Sequence, residues 1–282
     1  MEETWSCLEV ERVAKRSRLT TCLSVPPLKI LNPDSGAAYA SAILSSYGGG
    51  LVAGDCARLR VRCGREARLF LGTQAFTKVY KATNGQIARQ QVEGRVERGG
   101  CAIVLPDPIV PYADSEFEQE QVWHLAEGAV LILLDGGTAG RIERGERFQY
   151  TSYRSDITVY MDDKPVVIER FRSTPGRQDP DRVGIFGAFA AFANVFAIGS
   201  PGSAAFDTVE QCLRTALEKQ VEDQLKTRSE SALLSLAAPR PGVFVVRAMG
   251  RISGALSFVT SALSAVVSLP EVLGSDPLQR KY

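Results

Sequence analysis

Residues 46–55 read Ser46-Tyr47-Gly48-Gly49-Gly50-Leu51-Val52-Ala53-Gly54-Asp55, with four glycines inside seven positions and a carboxylate next in line. Glycines at this density demand backbone angles, or a closeness of approach, that a Cβ would forbid. The stretch separates an apolar run at 37–44 from Ala57-Arg58-Leu59-Arg60-Val61-Arg62-Cys63, which alternates strictly. Three readings compete. A phosphate cradle needs G-x-x-x-x-G-K-[ST] or G-x-G-x-x-G with a helix behind it. Here no lysine follows the glycines, and the next segment alternates like a strand. A bulged or crossing strand in a β protein uses the glycines without any ligand. The third reading, a family signature, depends on the rest of the chain.

The composition narrows the function classes. The 282 residues are 45% hydrophobic, enough for one large core or two small ones. Thirty-three basic and 32 acidic residues leave a net charge of +1, so nothing points to nucleic acid or an anionic membrane. Cys7, Cys22, Cys56, Cys63, Cys101 and Cys212 stand far apart, without a C-x-x-C. With the polar start Met1-Glu2-Glu3 and no secretory apolar stretch, they read as reduced thiols in the cytoplasm. His124 is the one histidine, which argues against a His-rich metal site and against histidine catalysis. Residues 183–198 (VGIFGAFAAFANVFAI) are almost wholly apolar but shorter than a spanning helix and broken by Gly184, Gly187 and Asn194. They read as a doubly buried strand or core segment.

Along the chain, residues 1–27 are mixed, with a solvated basic cluster at Lys15, Arg16 and Arg18. Leu28-Lys29-Ile30-Leu31 is a short strand, and Asn32-Pro33-Asp34-Ser35-Gly36 has turn chemistry. The alternation at 57–63 puts Arg58, Arg60 and Arg62 on the wet face of a half-buried strand. Strands are expected at 68–72, 92–96, 101–105, 129–134, 148–160 and 166–171. Asn84-Gly85 and Asp162-Asp163-Lys164-Pro165 mark turns, and Arg98-Gly99-Gly100 reads as a hairpin. After residue 200 the pattern changes. Val209, Leu213, Ala216, Leu217, Val221 and Leu225 recur at helical spacing behind Asp207-Thr208-Val209-Glu210, which resembles a capping box. A strand at 242–249 precedes a second amphipathic helix carrying Ile252, Ala255, Leu256, Val259, Leu263, Val266 and Val267. The expected architecture is a β-rich α+β domain spanning 1–282. It has an N-terminal strand region (1–27), a β-rich core (28–200) and a helix-strand-helix C-terminal part (201–282).

The search for chemistry yields little. There is no G-x-S-x-G, and no His, Cys, Asp and Glu set has metal-ligand spacing. Cys56 and Cys63, seven residues apart on a strand, point to opposite faces. Asp107, Asp114, Glu116, Glu143 and Glu146 could supply a general acid–base pair, although solvated loops carry such groups routinely.

Four stretches in order nevertheless resemble the urease accessory protein family UreD (UreH in some bacteria). Gly48, Gly49, Gly50, Gly54 and Asp55 are similar to its GGG-L-V-x-G-D signature. Thr73-Gln74-Ala75-Phe76-Thr77-Lys78-Val79-Tyr80 resembles T-Q-x-x-T-K-V-Y. Pro106-Asp107-Pro108 through Ser115, continued by Phe117-Glu118-Gln119, resembles the P-D-P-x-I-P-x-x-x-S block. Gly140-Arg141 with Gly145-Glu146-Arg147-Phe148 resembles G-R-x-x-x-G-E-x-F. One departure is Asp135-Gly136-Gly137, where the family commonly has an aromatic after the aspartate. The ending Asp276-Pro277-Leu278-Gln279-Arg280-Lys281-Tyr282 suits a eukaryotic-type member.

The resemblance implies a fold of short strands stacked in a β-helix-like arrangement with two α-helices. It implies a non-enzymatic maturation factor that, with UreF and the nickel-carrying GTPase UreG, binds urease apoprotein in a hetero-oligomer, a dimer of heterocomplexes being one form. The assembly would deliver nickel to an active site where a carbamylated lysine bridges two nickel ions. The chain itself would hold no tightly bound cofactor, and GTP would enter only through UreG. Nickel in transit calls for weak, exchangeable oxygen ligands, since imidazole and thiolate hold it longer. The residues expected along such a path are Asp55, Gln119, Glu146 and Glu169. The alternative is a pure protein-interaction scaffold with no nickel path, presenting residues 183–198 and 252–267 to partners. An enzyme using the carboxylates is the third reading.

Overall fold

The computed structural model describes residues 4–33, 36–227 and 232–280. Asp34 and Ser35 of the expected 32–36 turn lie outside the described residues, as do residues 1–3 and 281–282. So do the side chains of Leu225, Ile252, Ala255 and Leu256 from the two helix patterns. The chain opens with β1 (Ser6–Val13), β2 (Arg16–Leu23), β3 (Leu28–Leu31), β4 (Ala40–Ser46), β5 (Cys56–Cys63) and β6 (Arg68–Thr73). It continues through β7 (Thr77–Val79), β8 (Ala88–Val96), β9 (Cys101–Leu105), β10 (Ile109–Pro111), β11 (Glu116–Leu125) and β12 (Val130–Thr138). Then come β13 (Ser152–Met161), β14 (Lys164–Ser173), β15 (Ala191–Gly199), α1 (Ala204–Thr227), β16 (Ala232–Arg240), β17 (Val243–Gly250) and α2 (Ile252–Val267).

Two sheets result. The first runs β14-β13-β11-β8-β5-β1-β2 and the second β16-β17-β15-β12-β9-β6-β4-β3. From β4 to β13 the main strands alternate between the sheets, so each turn of the chain lays one strand on each. Within a sheet the successive turns stack in parallel: β5 on β8 on β11 on β13, and β4 on β6 on β9 on β12. This is the stacked, β-solenoid-like arrangement with two helices that the sequence led us to expect. The hairpin expected at 98–100 is corrected by it. β8 and β9 lie in different sheets, and Gly99 at φ 67° turns a corner between them. The apolar run of β9 is claimed by parallel neighbours on both sides, β6 and β12, and not by the charged strand that precedes it.

Burial explains the patterns. The first sheet has one wet face: Arg60 pairs with Glu93 at 2.8 Å, and Arg62 with Glu97 at 2.7 Å and with Glu11. The second sheet is covered on its far side by α1 and α2, so β9, β12 and β15 are buried at every position and read as continuous apolar runs. Residues 183–198 therefore divide. Val183 is 99% exposed, Gly184 and Gly187 turn at positive φ, and only the part from Ala191 onward enters β15. Phe192, Val195, Phe196 and Ile198 of that segment, and Val259, Leu263, Val266 and Val267 of α2, are buried inside the protein. No described helix is long and apolar enough to cross a membrane.

The start of α1 is also corrected. Ser203, not Asp207, caps it: the Phe206 N–H donates to Ser203 Oγ at 3.2 Å, and Asp207 sits in the first turn, where its charge suits the helix dipole. β16 was not foreseen, because its Leu233-Leu234-Ser235-Leu236-Ala237 neither alternates strictly nor carries β-branched residues.

Candidate functional site

The glycine stretch is a crossing. It carries the chain from β4 in the second sheet to β5 in the first. Gly49 and Gly54 take φ of 69° and 83°, and a Cβ on Gly50 would stand 2.6 Å from the Lys78 carbonyl oxygen. That approach lets the Leu51 N–H donate to the Lys78 carbonyl at 2.8 Å and the Tyr80 N–H to the Leu51 carbonyl at 2.9 Å. From there the other motifs join in sequence. The Thr77 N–H reaches the Pro108 carbonyl (3.2 Å), the Tyr112 N–H the Val79 carbonyl (2.9 Å), and the Ala113 N–H reaches Glu146 Oε2 (3.2 Å). The four stretches are thus one hydrogen-bonded arc along one margin of the two sheets.

Behind the arc, between the sheets, lies a cavity of about 210 Å³, room for several waters. Its wall includes Thr77, Lys78, Asp107, Gln119, Asp135 and Gly136. Two of these are buried carboxylates. Asp107 Oδ2 accepts from Thr73 Oγ1 at 2.7 Å, and Thr73 Oγ1 accepts from the Asp107 N–H at 2.7 Å. Asp135, near the end of the apolar β12, accepts from Gln119 Nε2 at 2.8 Å and from Ser155 Oγ at 3.3 Å. Burial pushes its carboxyl up to about 6; the Gln119 and Ser155 hydrogen bonds pull the other way, and the charge of Glu169 adds to the rise. A carboxylate so placed gives up its proton near neutrality and then offers a hard oxygen to a cation. Among the described residues no three His, Cys, Asp or Glu side chains gather as a metal-holding group.

The sequence matches the family model described as UreD urease accessory protein over residues 6–282. The chain belongs to the UreD family. It is similar to the urease accessory protein UreD of Anaeromyxobacter sp., 34% identical over 275 residues, covering 97% of this chain and 88% of that one. A UreD of Cytophaga hutchinsonii is 29% identical over 280 residues, covering 99% and 98% of the two chains. Urease accessory protein D of Oryza sativa subsp. indica is 35% identical over 168 residues, 57% of this chain and 54% of its own. The role of a UreD protein is that of a urease accessory protein, a part in which it meets urease and other accessory proteins.

In this UreD chain the residues singled out from the sequence part company. Gln119 touches Asp135 directly, and Glu169 acts on it through its charge. Glu169 also grips Arg247 of β17 with both oxygens, at 2.9 and 2.6 Å, joining the edge of one sheet to the other. Asp55 closes the glycine turn, its Oδ2 accepting from the Val52 N–H at 2.9 Å. Glu146 is locked by Arg141 through two hydrogen bonds, one of 2.7 Å, and the Arg141 bond is what chiefly holds its carboxyl below the usual range. Arg141 in turn lies 3.8 Å above the Tyr112 ring. The structure thus brings two of the four to one cluster and leaves Asp55 and Glu146 in local clasps on the arc.

Asp135 and Asp107 were not among the residues expected on the path. Asp107 was visible only as a motif member. Asp135 had one usable signal: a carboxylate closing a wholly apolar strand, where an unpaired charge would be costly.

Proposed function

We propose that this UreD chain, with UreF and UreG, binds urease apoprotein and assists nickel insertion, the ion crossing the protein between its two sheets. One observation carries the reading. From the cavity wall inward runs a seam of oxygen-bearing side chains, from Thr73 and Asp107 through Gln119, Asp135 and Ser155 to Asn194 and Glu169. Buried polar groups are expensive unless satisfied, and a core needing only stability would use apolar residues here. Carboxylate, amide and hydroxyl oxygens suit a cargo that must be released, because they bind a late divalent transition metal less tightly than imidazole or thiolate. In this reading Asp107 and Asp135 pass the ion along, Gln119 and Ser155 hold Asp135 in position, and Asp55 and Glu146 shape the arc at the entrance.

The experiment is nickel-dependent urease activation in cells carrying Asp135→Asn, beside Asp55→Ala, with assembly followed by pull-down through UreF. The expectation is an assembled complex and urease poor in nickel for Asp135→Asn, with a lesser effect for Asp55→Ala. Full nickel loading with Asp135→Asn would reduce the chain to an interaction scaffold.

A further inference from the structure

The seam does not stop at Asp135. On the inner face of the second sheet, the Cα partner of Asp135 is Asn194, and the partner of Asn194 is Arg247. Arg247 Nη1 donates to Asn194 Oδ1 at 3.3 Å, while the same guanidinium takes both oxygens of Glu169. Asn194 is buried, Glu169 is 18% exposed and Arg247 47% exposed, so the row leads from the core to the surface and ends on a guanidinium. Arg247 keeps its charge at every accessible pH. A fixed positive charge at this point opposes the exit of a divalent cation and neutralises the last carboxylate the cation would meet.

An ordinary reading of this pair is a clamp between sheet edges. A second tie, however, already joins them: Arg240 Nη1 donates to the Pro165 carbonyl at 3.3 Å. Were the half-exposed Arg247 to swing into solvent, that second tie would still join the edges.

We propose that Arg247 and Glu169 form a gate at the far end of the seam. Closed, the guanidinium bars the cation; open, Glu169 is released to take the cation from the interior and hand it on. This rests on the nickel-path reading above.

The test uses the assembled complex of this chain with UreF and UreG, charged with radioactive nickel and held against a chelating resin without urease. Arg247→Gln should lose label to the resin about tenfold faster than the native complex, the factor that ~1.4 kcal/mol off a barrier produces. Arg247→Lys, which keeps the charge, should retain label. Glu169→Gln leaves the charge of Arg247 in place, so it should retain label yet deliver less to urease once urease is added. Native-like retention by Arg247→Gln would overturn the gate, as would equal leakage from Arg247→Gln and Glu169→Gln, the behaviour of a simple clamp. Should Arg247→Gln fail to assemble, leakage from the Glu169→Gln complex would overturn it. Asp135→Asn separates the two ideas: if it blocks delivery while Arg247→Gln retains label, the gate fails and the path stands. If Asp135→Asn delivers normally, the path itself fails.

Discussion

Asp135 shows how one side chain couples the core to pH. Its carboxyl titrates near 6 in the folded chain against an ordinary 3.8, burial being the main cause. A raised folded value means that the protonated form is the one folding favours. The contribution is therefore present in full below about pH 4 and is lost as pH rises toward and through about 6. The whole difference is on the order of 3 kcal/mol. Asp135→Asn removes it, so the variant gains on the native protein by roughly that amount between pH 4 and pH 7, read as the difference of two denaturant titrations. Parallel pH profiles would show that Asp135 is already satisfied as a charge. Glu146 runs the opposite way. Arg141 holds its carboxyl low, so its support is present above the ordinary carboxylate range and lost as pH falls. The sequence puts Asp55 first, at the end of the glycine turn, and Gln119, Glu146 and Glu169 behind it as polar residues within or beside strands. What separates them is the partner each finds: Arg141, the Val52 N–H, or Asp135. Val52 and Arg141 are local partners, three and five residues away, whereas Asp135 lies 16 residues from Gln119 in the other sheet, and that pairing is not written in local pattern.

Among the elements, β8 and β11 approach each other closely where a glycine faces an indole. Gly94 of β8 is the register partner of Trp123 of β11, and a Cβ there would overlap the fully buried indole. Gly94→Ala is expected to cost ~1–3 kcal/mol, the usual range for overpacking a dense core, or to displace the indole. Tryptophan fluorescence during unfolding reads both. At the other end of the chain, Ser203→Ala should cost about 1 kcal/mol by removing the cap of α1, whereas Asp207→Ala should cost less, since Asp207 offers only its charge. Equal losses would restore Asp207 as the cap. Strand alternation, glycine turns and helical spacing made most elements legible. The Asp162 and Asp163 turn, with φ of 48° and 58°, is a hairpin as the residues suggest. The Arg98-Gly99-Gly100 corner is not, because the same turn chemistry serves a hairpin and a change of sheet. Only the long-range ladders of β9 distinguish them.

At the scale of the molecule, two cores meet at the second sheet: one between the sheets, the other between that sheet and the helices. Phe206, 2% exposed, belongs to the helical core. Phe206→Ala should lower stability by ~3–5 kcal/mol without touching the seam, so the nickel content of urease per assembled complex should stay native. A drop in that ratio would tie the helical layer to transfer. The solenoid-like stacking followed from many short strands together with the motif resemblance; strand patterns alone did not fix which strand joins which sheet. The seam was legible only in single members such as Gln119 and Glu169, since its residues lie on six strands and at the turn after β9 and meet only when the turns stack. The central claim is that cargo travels inside the protein, and its most direct measurement is cell-free transfer of radioactive nickel from charged UreG, through the assembled complex, to urease apoprotein in the presence of an excess of chelating resin too large to enter the cavity. An interior path predicts that label reaches urease as fully as without the resin. Label diverted to the resin, with urease left empty, would contradict it.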